Sequence, residues 1–282
     1  MIETGCREKI ASKINSLTNT EKKIARFVLD NYENVLNSSI VELSEQAGVS
    51  DASVVRFCKS LGYKGYQEFK IKAAIDVLPK EKHFNPVLEK DDSTENICKK
   101  LFNSEISVLN RTLLGLDMES MEDVANAIYA ANQVVFFGSG GSLLVAQDAL
   151  HKLMKIGIKV HAYADRDLQL MASSLMRAGD VAIGISHSGS NSAVVHCLKN
   201  ARECGAKTVA LVSQGKTPLS KIADIVLHTT SEATIFQSES VTTRIAQLAI
   251  IDSLVAVVAL KNYEESFAAI QQTRNATSIN KF

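Results

Sequence analysis

The segment DVAIGISHSGSN, residues 180–191, most constrains how this chain can fold. Its apolar run, 181–185, is typical of a strand buried on both faces, as in a parallel sheet. Polar residues and glycine follow, and helical periodicity then resumes. A strand, a small polar loop and a helix bring hydroxyl and amide groups to a helix N-terminus, where anions bind. We therefore predict an anion site rather than an ordinary turn. Its candidate contacts are Ser186, His187, Ser188, Ser190 and Asn191.

Another loop of the same kind lies earlier in the chain and follows an apolar run at 133–137. It reads Gly138-Ser139-Gly140-Gly141-Ser142, and a helix is predicted directly after it. The loop is neither a Walker sequence, because no Lys-Ser/Thr pair follows, nor a full GxGxxG. Each loop alone is a weak signal, but two serine-bearing loops on two strands of one domain are more specific. The loop at 138–142 adds Ser139, Gly140 and Ser142 as candidate contacts.

Strands and helices alternate through the second half of the chain. The predicted strands are 134–137, 159–163, 181–185, 208–212 and 225–228. Alternation of this kind predicts an α/β domain with a doubly wound parallel sheet of about five strands. In a flavodoxin-like order, ligands bind where the first and third strands lie side by side. Both serine loops follow these strands, so topology and composition predict the same crevice.

Composition limits the class of protein. The 282 residues carry no net charge, so any nucleic-acid contact must come from a local patch. The five cysteines are odd in number and widely spaced, with no CxxC pair, which argues against disulfides and a zinc site. We predict no metal and no cofactor. The N-terminus lacks a signal-peptide pattern and no uninterrupted apolar run has spanning length, so we expect a cytoplasmic protein without a membrane partner.

The first eighty residues have helical periodicity and resemble a DNA-binding helix-turn-helix. Gly48 permits a turn after a helix that begins near Ser39, and Ser50 is a suitable N-cap for a second helix, 51–61. We expect Val54, Val55, Cys58 and Leu61 to face the core. That leaves Asp51, Ala52, Ser53, Arg56 and Lys59 toward solvent, and base edges are read from the start of such a helix.

A basic run supports this interpretation. Between Arg56 and Lys72 there are five basic residues and one acid, Glu68; the basic residues are Arg56, Lys59, Lys64, Lys70 and Lys72. Phosphate contacts from such a patch would position the module on double-stranded DNA. The alternative is a solvated helical hairpin that only packs on the second domain. The predicted DNA-binding residues are Ser50, Asp51, Ala52, Ser53, Arg56, Lys59 and Lys64.

These motifs together resemble the RpiR type of bacterial transcriptional regulator, an N-terminal helix-turn-helix joined to a sugar isomerase (SIS) domain. The resemblance covers nearly the whole chain. In the first part it is carried by residues 17–18, 21–25, 47–50, 56–59, 61–63, 65–66 and 69–70. In the second part it is carried by residues 138–142, 165, 168–171, 185–189 and 243–248.

The resemblance implies a sequence-specific regulator of carbohydrate genes whose SIS domain senses a phosphorylated sugar. We favour a repressor and a non-catalytic sensor, with phosphate held by the hydroxyl and amide groups of the two serine loops. Two positions depart from the family pattern: Asn191 stands where threonine is common, and Asp167 where histidine is common. The alternative is an aldose–ketose isomerase that carries a DNA-binding domain, with His187, Glu232 or Glu239 as its base.

The domain organisation follows from the same motifs. We predict an all-α helix-turn-helix domain at 1–78, a linker at 79–107 and the SIS domain at 108–282. A helix-turn-helix dimer reads two half-sites, so we expect a homodimer or homotetramer. The apolar final helix, 245–260, is predicted to pack on the sheet and to leave a stripe for a partner subunit.

Overall fold

The computed structural model of the chain describes residues 5–77, 87–213, 215–230 and 241–279. The chain folds into two compact units: the first runs to Ser104 and also includes Gly215–Thr217, and the second contains the other described residues from Glu105 onward. Within the predicted linker, residues 79–86 lie outside the described ranges, and residues from Thr94 onward belong to a helix. The domain boundaries at 78 and 108 therefore stay a prediction.

The first unit is helical. Its elements are α1 (Cys6–Lys13), a 3-10 turn (Ile14–Ser16), α2 (Asn19–Asp30), α3 (Tyr32–Asn37), α4 (Ile40–Ala47), α5 (Asp51–Ser60), α6 (Tyr66–Ile75) and the start of α7 (Thr94–Gly115). Thr18 and Ser39 are the N-caps of α2 and α4, and each forms a capping box. In a capping box, the N-cap hydroxyl accepts from the amide of a glutamate three residues later, and the carboxylate of that glutamate accepts from the N-cap amide. The core is aromatic where α5 meets α6: the rings of Phe57 and Phe69 lie edge to face, 6.1 Å apart.

The second unit is a parallel sheet between helices. After α7 come α8 (Met118–Ala130), β1 (Val134–Phe137), α9 (Gly141–Lys155), β2 (Val160–Ala162), α10 (Arg166–Ser174), β3 (Val181–Ile185), α11 (Ser192–Glu203), β4 (Lys207–Ser213), α12 (Pro218–Ile222), β5 (Ile225–Thr229), α13 (Val241–Lys261) and α14 (Tyr263–Ser278). The strand order is β2-β1-β3-β4-β5 and every pair is parallel. The predicted doubly wound, flavodoxin-like sheet is confirmed.

The register of the sheet places the two serine loops side by side. Phe137, the last residue of β1, pairs with Gly184 of β3, so Gly138 and Ile185 stand at the same level. Neighbouring strands in a sheet are about 4.8 Å apart. Alternate residues face opposite layers: Val134 and Phe136 pack into one buried cluster, and Val135 and Phe137 into another. A strand buried on both faces explains the continuous apolar sequence.

The last part of the chain differs from the prediction in one respect. The apolar helix predicted at 245–260 is α13, but α14 follows it, so α13 is not the final helix. The sequence of α14 has no clear apolar stripe, which is why periodicity does not reveal it. Among the described helices, α13 alone is long and apolar enough to cross a membrane; the mean hydropathy of 243–261 is 1.8 and 39% of it is buried. This is weak evidence, because a core helix has the same properties.

Candidate functional site

The first serine loop along the chain, residues 138–142, forms the N-terminus of α9. Gly140 has a φ of 57°, in the region that favours glycine, and it directs the chain into the helix. The Ser142 amide donates to the Ser139 carbonyl at 3.2 Å, and the Leu143 amide to the Gly140 carbonyl at 3.1 Å. The first amides of a helix have no partner within it, and the helix dipole makes this end positive. Apart from the Ser142 and Leu143 amides, which donate within the loop, this end of α9 therefore presents its amide groups and two serine hydroxyls to an anion.

The loop also depends on Gly138, its first residue. A Cβ atom there would lie 2.9 Å from the Ser142 carbonyl oxygen and 3.0 Å from the Leu143 amide nitrogen. Both are backbone atoms of the loop and α9, so they cannot move aside as a flexible side chain could. The close approach of strand end and helix start therefore requires glycine at this position.

The carboxamide of Gln169 in α10 hydrogen-bonds to the backbone of Gly138. Its Oε1 accepts from the Gly138 amide at 3.2 Å, and its Nε2 donates to the Gly138 carbonyl at 3.0 Å and to the Tyr163 carbonyl at 2.9 Å. The side chain is 4% exposed. The sequence does not predict this role, because Gln169 is 31 residues from Gly138 and no local motif links the two. The family pattern alone singles out Gln169.

Arg244 brings a positive charge to the same loop. Its Nη2 lies 2.6 Å from where a Cβ of Gly141 would stand, so the guanidinium lies directly against the first residue of α9. Arg244 is in the first turns of α13 and is partly exposed. Sequence reasoning missed it as a site residue too, because only the fold brings α13 to this loop. A guanidinium beside a helix N-terminus increases the attraction for a phosphate.

The second serine loop, residues 186–191, begins where β3 ends. The Ser186 amide still continues the sheet by donating to the Leu211 carbonyl at 3.1 Å, and the residue is 5% exposed. Gly189, with a φ of 60°, closes a turn in which its amide donates to the Ser186 carbonyl at 3.0 Å. The sheet therefore fixes Ser186, and a glycine turn shapes the residues after it.

The carbonyl groups of this loop are held by the next elements along the chain. The His187 carbonyl accepts from both the amide and the hydroxyl of Ser213, at 3.0 and 2.7 Å. The Gly189 carbonyl accepts from the Leu219 amide at 2.9 Å. Carbonyl oxygens would repel a phosphate, so their engagement with the protein favours an anion site. The imidazole of His187 is partly exposed.

The remaining predicted contacts interact within the loop or with α11. The Ser188 hydroxyl accepts from the Ser190 amide at 3.3 Å, and the Ser190 hydroxyl donates to the Ser188 carbonyl at 3.1 Å. Asn191 is the N-cap of α11, where its Oδ1 accepts from the Val194 amide at 3.2 Å. Its carboxamide oxygen is thus occupied in capping, which leaves its NH2 group as the donor for a ligand.

In the first unit, α4 and α5 form the predicted helix-turn-helix. Gly48 has a φ of 61°, and Ser50 caps α5 by accepting from the Ser53 amide at 3.3 Å. One residue of the predicted reading surface is wrong: Ser53 is 7% exposed and lies with the buried residues. Helical side chains lean toward the helix N-terminus, which turns Ser53 back over the Ser50 hydroxyl, 2.9 Å away.

The predicted core face of α5 also needs correction. Val54, Cys58 and Leu61 are buried as expected, but Val55 is only partly buried. Phe57, which the prediction leaves out of the core, is fully buried. The inner face of α5 is therefore rotated slightly from the one that the apolar pattern suggests.

Two polar contacts fix the turn between these helices. The Ser44 hydroxyl donates to Asp51 Oδ1, which links the last turn of α4 to the first residue of α5. Lys23 Nζ of α2 donates to the Gly48 carbonyl at 3.1 Å. Asp51 therefore accepts a hydrogen bond within the protein and also lies at the candidate reading surface. Lys23 helps to fix the turn, a role that the sequence does not predict.

The basic patch is smaller than the sequence suggests. Ala52, Arg56, Lys59 and Lys64 are exposed. Lys70 instead donates from Nζ to the Ser38 carbonyl at 2.9 Å, and burial lowers its pKa to about 8 even though Glu42 raises it. Lys70 lies close in sequence to the exposed basic residues, but its side chain contacts the end of α3 and is not part of the patch.

Comparisons with known proteins match both units. Residues 4–80 match the model for the helix-turn-helix domain of the rpiR family, and residues 127–257 match the model for the SIS domain. An HTH-type transcriptional regulator of Caldanaerobacter subterraneus subsp. tengcongensis is 36% identical over 267 residues, which are 95% of each chain. One of Haemophilus influenzae is 36% identical over 95% of this chain and 93% of its own.

The chain belongs to the RpiR family of HTH-type transcriptional regulators. Among solved structures, this RpiR-type regulator is similar to the Vibrio vulnificus NanR protein complexed with ManNAc-6P, with a TM-score of 0.81, 24% identity and coverage of 97% and 98% of the two chains. It is also similar to the sugar isomerase domain of an RpiR transcription factor from Sphaerobacter thermophilus, with a TM-score of 0.59, 26% identity and coverage of 64% and 98%. The SIS fold is thereby shown.

No group of three or more histidine, cysteine, aspartate or glutamate side chains within the described ranges could hold a metal ion. Glu232 and Glu239, the carboxylates considered for an isomerase, lie outside the described residues. Of the three candidate bases, His187 lies within the described residues, and its place in the second serine loop also suits a ligand contact.

Proposed function

We propose that this RpiR-type regulator binds a phosphorylated sugar between its two serine loops and that the sugar controls its binding to operator DNA. The phosphate contacts would come from Ser139, Gly140, Ser142, Ser186, His187, Ser188, Ser190 and Asn191. The observation that carries the proposal is the register of β1 and β3, because it sets two amide- and hydroxyl-rich loops at one edge of the sheet. Arg244 supports it with a positive charge at the first loop.

The DNA-facing part of the proposal rests on α5. Ala52, Arg56 and Lys59 are exposed on it, with Ser50 and Asp51 at its start and Lys64 just beyond its end. We leave Ser53 out of the proposed reading surface because it is buried and supports Arg56, whose Nη2 donates to its hydroxyl at 3.0 Å. We propose a cytoplasmic repressor that acts as a homodimer or homotetramer, since two half-sites require at least two copies.

The SIS unit is proposed to be a sensor without catalysis. A DNA-binding unit gives ligand recognition a sufficient purpose, and NanR, which has the same fold, is known in complex with ManNAc-6P. The isomerase alternative predicts interconversion of an aldose phosphate and its ketose by the purified protein. Assaying the bound sugar for that conversion separates the two functions.

A thermal-shift screen tests the sensor. Phosphorylated sugars and amino sugars, including ManNAc-6P, are compared with their unphosphorylated parents. A ligand at one hundred times its Kd stabilises the folded state by about 2.7 kcal/mol, so a specific phosphosugar should raise Tm while its parent does not. Equal shifts from both members of a pair would contradict a phosphate site.

A further inference from the structure

The side chain of Gln169 hydrogen-bonds to both backbone polar groups of Gly138, its amide and its carbonyl. Its Oε1 accepts from the amide at 3.2 Å and its Nε2 donates to the carbonyl at 3.0 Å. Gly138 is the first residue of the first serine loop, and a Cβ there would collide with backbone. The carboxamide thus holds the two peptide planes on either side of the Gly138 Cα, and the second of these planes sets the direction of the amides that follow.

The same carboxamide also holds a second connection. Nε2 donates its other hydrogen to the Tyr163 carbonyl at 2.9 Å, immediately after β2. The segment that Tyr163 begins leads to Asp165, which caps α10 by accepting from the Asp167 and Leu168 amides at 3.0 and 2.9 Å. Both hydrogens of Nε2 are therefore used, one on each of two neighbouring loops at the carboxyl edge of the sheet.

Other side chains do not satisfy this arrangement. Ionised glutamate has no hydrogen to donate and would bring its charge to two carbonyl oxygens in a buried place. Methionine has a similar length but makes neither bond. At 4% exposure, water cannot readily replace a lost partner. The chemistry of the position therefore calls for a group that donates twice and accepts once.

We propose that Gln169 is a positioning residue that aims the first serine loop at a phosphate and links it to the connection between β2 and α10. Because both loops share one nitrogen, a displacement of either changes the geometry at the other. Gln169 then controls affinity without being a ligand contact itself. This inference rests on the proposed phosphosugar function and assigns a new residue to it.

The test uses the full chain with Gln169→Met and Gln169→Glu. Gln147→Met and Gln147→Glu are the matched controls, since Gln147 is exposed on α9. Calorimetry measures binding of ManNAc-6P and of inorganic phosphate, and hydrogen exchange of residues 138–143 is measured without ligand. Loss of buried hydrogen bonds of this kind corresponds to about tenfold to a hundredfold weaker binding in Gln169→Met. Exchange in the loop should also become faster.

Gln169→Glu adds a readout that a purely structural role would not change. A protonated carboxyl can donate one hydrogen bond and accept another, so this variant should recover affinity between pH 8 and pH 6 relative to Gln147→Glu. The control variants should bind and exchange as the wild type does. Thermal melting identifies any variant that fails to fold; Gln169→Met, which introduces no charge, then decides the matter.

The outcomes separate this inference from the proposed function. Unchanged affinity together with unchanged loop exchange in Gln169→Met overturns the positioning role. If the wild type binds neither probe, the exchange data still decide: faster exchange only in the Gln169 variants supports the positioning role, and identical exchange rejects it. Failure of the sensor proposal therefore appears in the wild type, and failure of the Gln169 proposal appears in the variants.

Discussion

Arg56 Nη2 donates to the Ser53 hydroxyl at 3.0 Å, so the guanidinium is held over the first turn of α5. Ser53 in turn is placed by Ser50, whose hydroxyl lies 2.9 Å from its own. The cap of the helix therefore also orients its foremost basic side chain. The other guanidinium nitrogens remain able to reach a guanine edge.

Arg56→Ala and Lys59→Ala are expected to weaken DNA binding in different ways. Loss of a base contact by Arg56 should cost about 1–3 kcal/mol and relax preference at one operator position. Loss of a phosphate contact by Lys59 should weaken all sequences alike and reduce the salt slope. Fluorescence anisotropy with an operator selected from random DNA, at several salt concentrations, measures both. Full specific binding by the Arg56 variant would remove this residue from the reading surface.

Ser186→Ala and Ser188→Ala should lose the response to the phosphosugar and keep operator binding. Each change deletes a hydrogen bond to a charged phosphate, worth about 1.5–3 kcal/mol. Calorimetry with the sugar found in the screen measures the loss, and anisotropy checks the DNA. Ser253→Ala is the control, because Ser253 is exposed on α13 and its hydroxyl only donates to Ala249. Wild-type affinity in both loop variants would argue against this site.

Gly138→Ala should abolish phosphosugar binding, because the new methyl group meets backbone atoms at 2.9 and 3.0 Å and the loop must open. Gly65→Ala is a matched control: a Cβ at Gly65 has no described heavy atom within 4 Å, and its φ of 173° suits any residue. Thermal melts and calorimetry on both variants measure the difference. Equal binding by the two would show that the loop tolerates a side chain there.

Lys70→Met should stabilise the protein at pH 7 by about 1–3 kcal/mol, because burial of the ammonium group opposes folding. The lowered pKa, about 8, is that of the folded state, whereas the unfolded lysine keeps 10.5. Between these values the unfolded chain holds the additional proton, so wild-type stability rises with pH. The advantage of the variant should therefore shrink from pH 8 to pH 10.

Urea unfolding at pH 7, 8, 9 and 10 measures this trend. Lys64→Met provides the comparison, since Lys64 is exposed and its removal should have little effect at any of these values. A constant difference between Lys70→Met and the wild type across the series would contradict the assignment of an unfavourably buried charge.

Assembly is predicted to use the outer face of α13. Leu260 is 72% exposed there, and Ile245 is only partly buried. Light scattering on the full chain should give at least a dimer, and Leu260→Glu should shift it toward monomer without loss of core packing. Leu114→Glu, at a residue that is 86% exposed on α7, serves as the control. A wild-type monomer at micromolar concentration would refute this interface.

The sequence predicts those features that are encoded locally. Apolar runs identify the strands, and the serine-rich segments identify both loops, because each feature lies within a dozen residues. Ser53 is misplaced because helical periodicity does not resolve how a side chain leans at a helix start. Arg244 and Gln169 are not assigned to the site because they come from α13 and α10, and only the packed sheet brings them to Gly141 and Gly138.

The internal hydrogen bonds of the second serine loop affect how tightly and for how long a phosphosugar stays bound. Within this loop, the Ser188 hydroxyl already has the Ser190 amide as a partner, and the Ser190 hydroxyl already has the Ser188 carbonyl. A phosphate would exchange these bonds for new ones rather than satisfy empty groups, which limits the net gain per contact. We expect moderate affinity and a short residence time, so occupancy would follow a falling sugar concentration promptly.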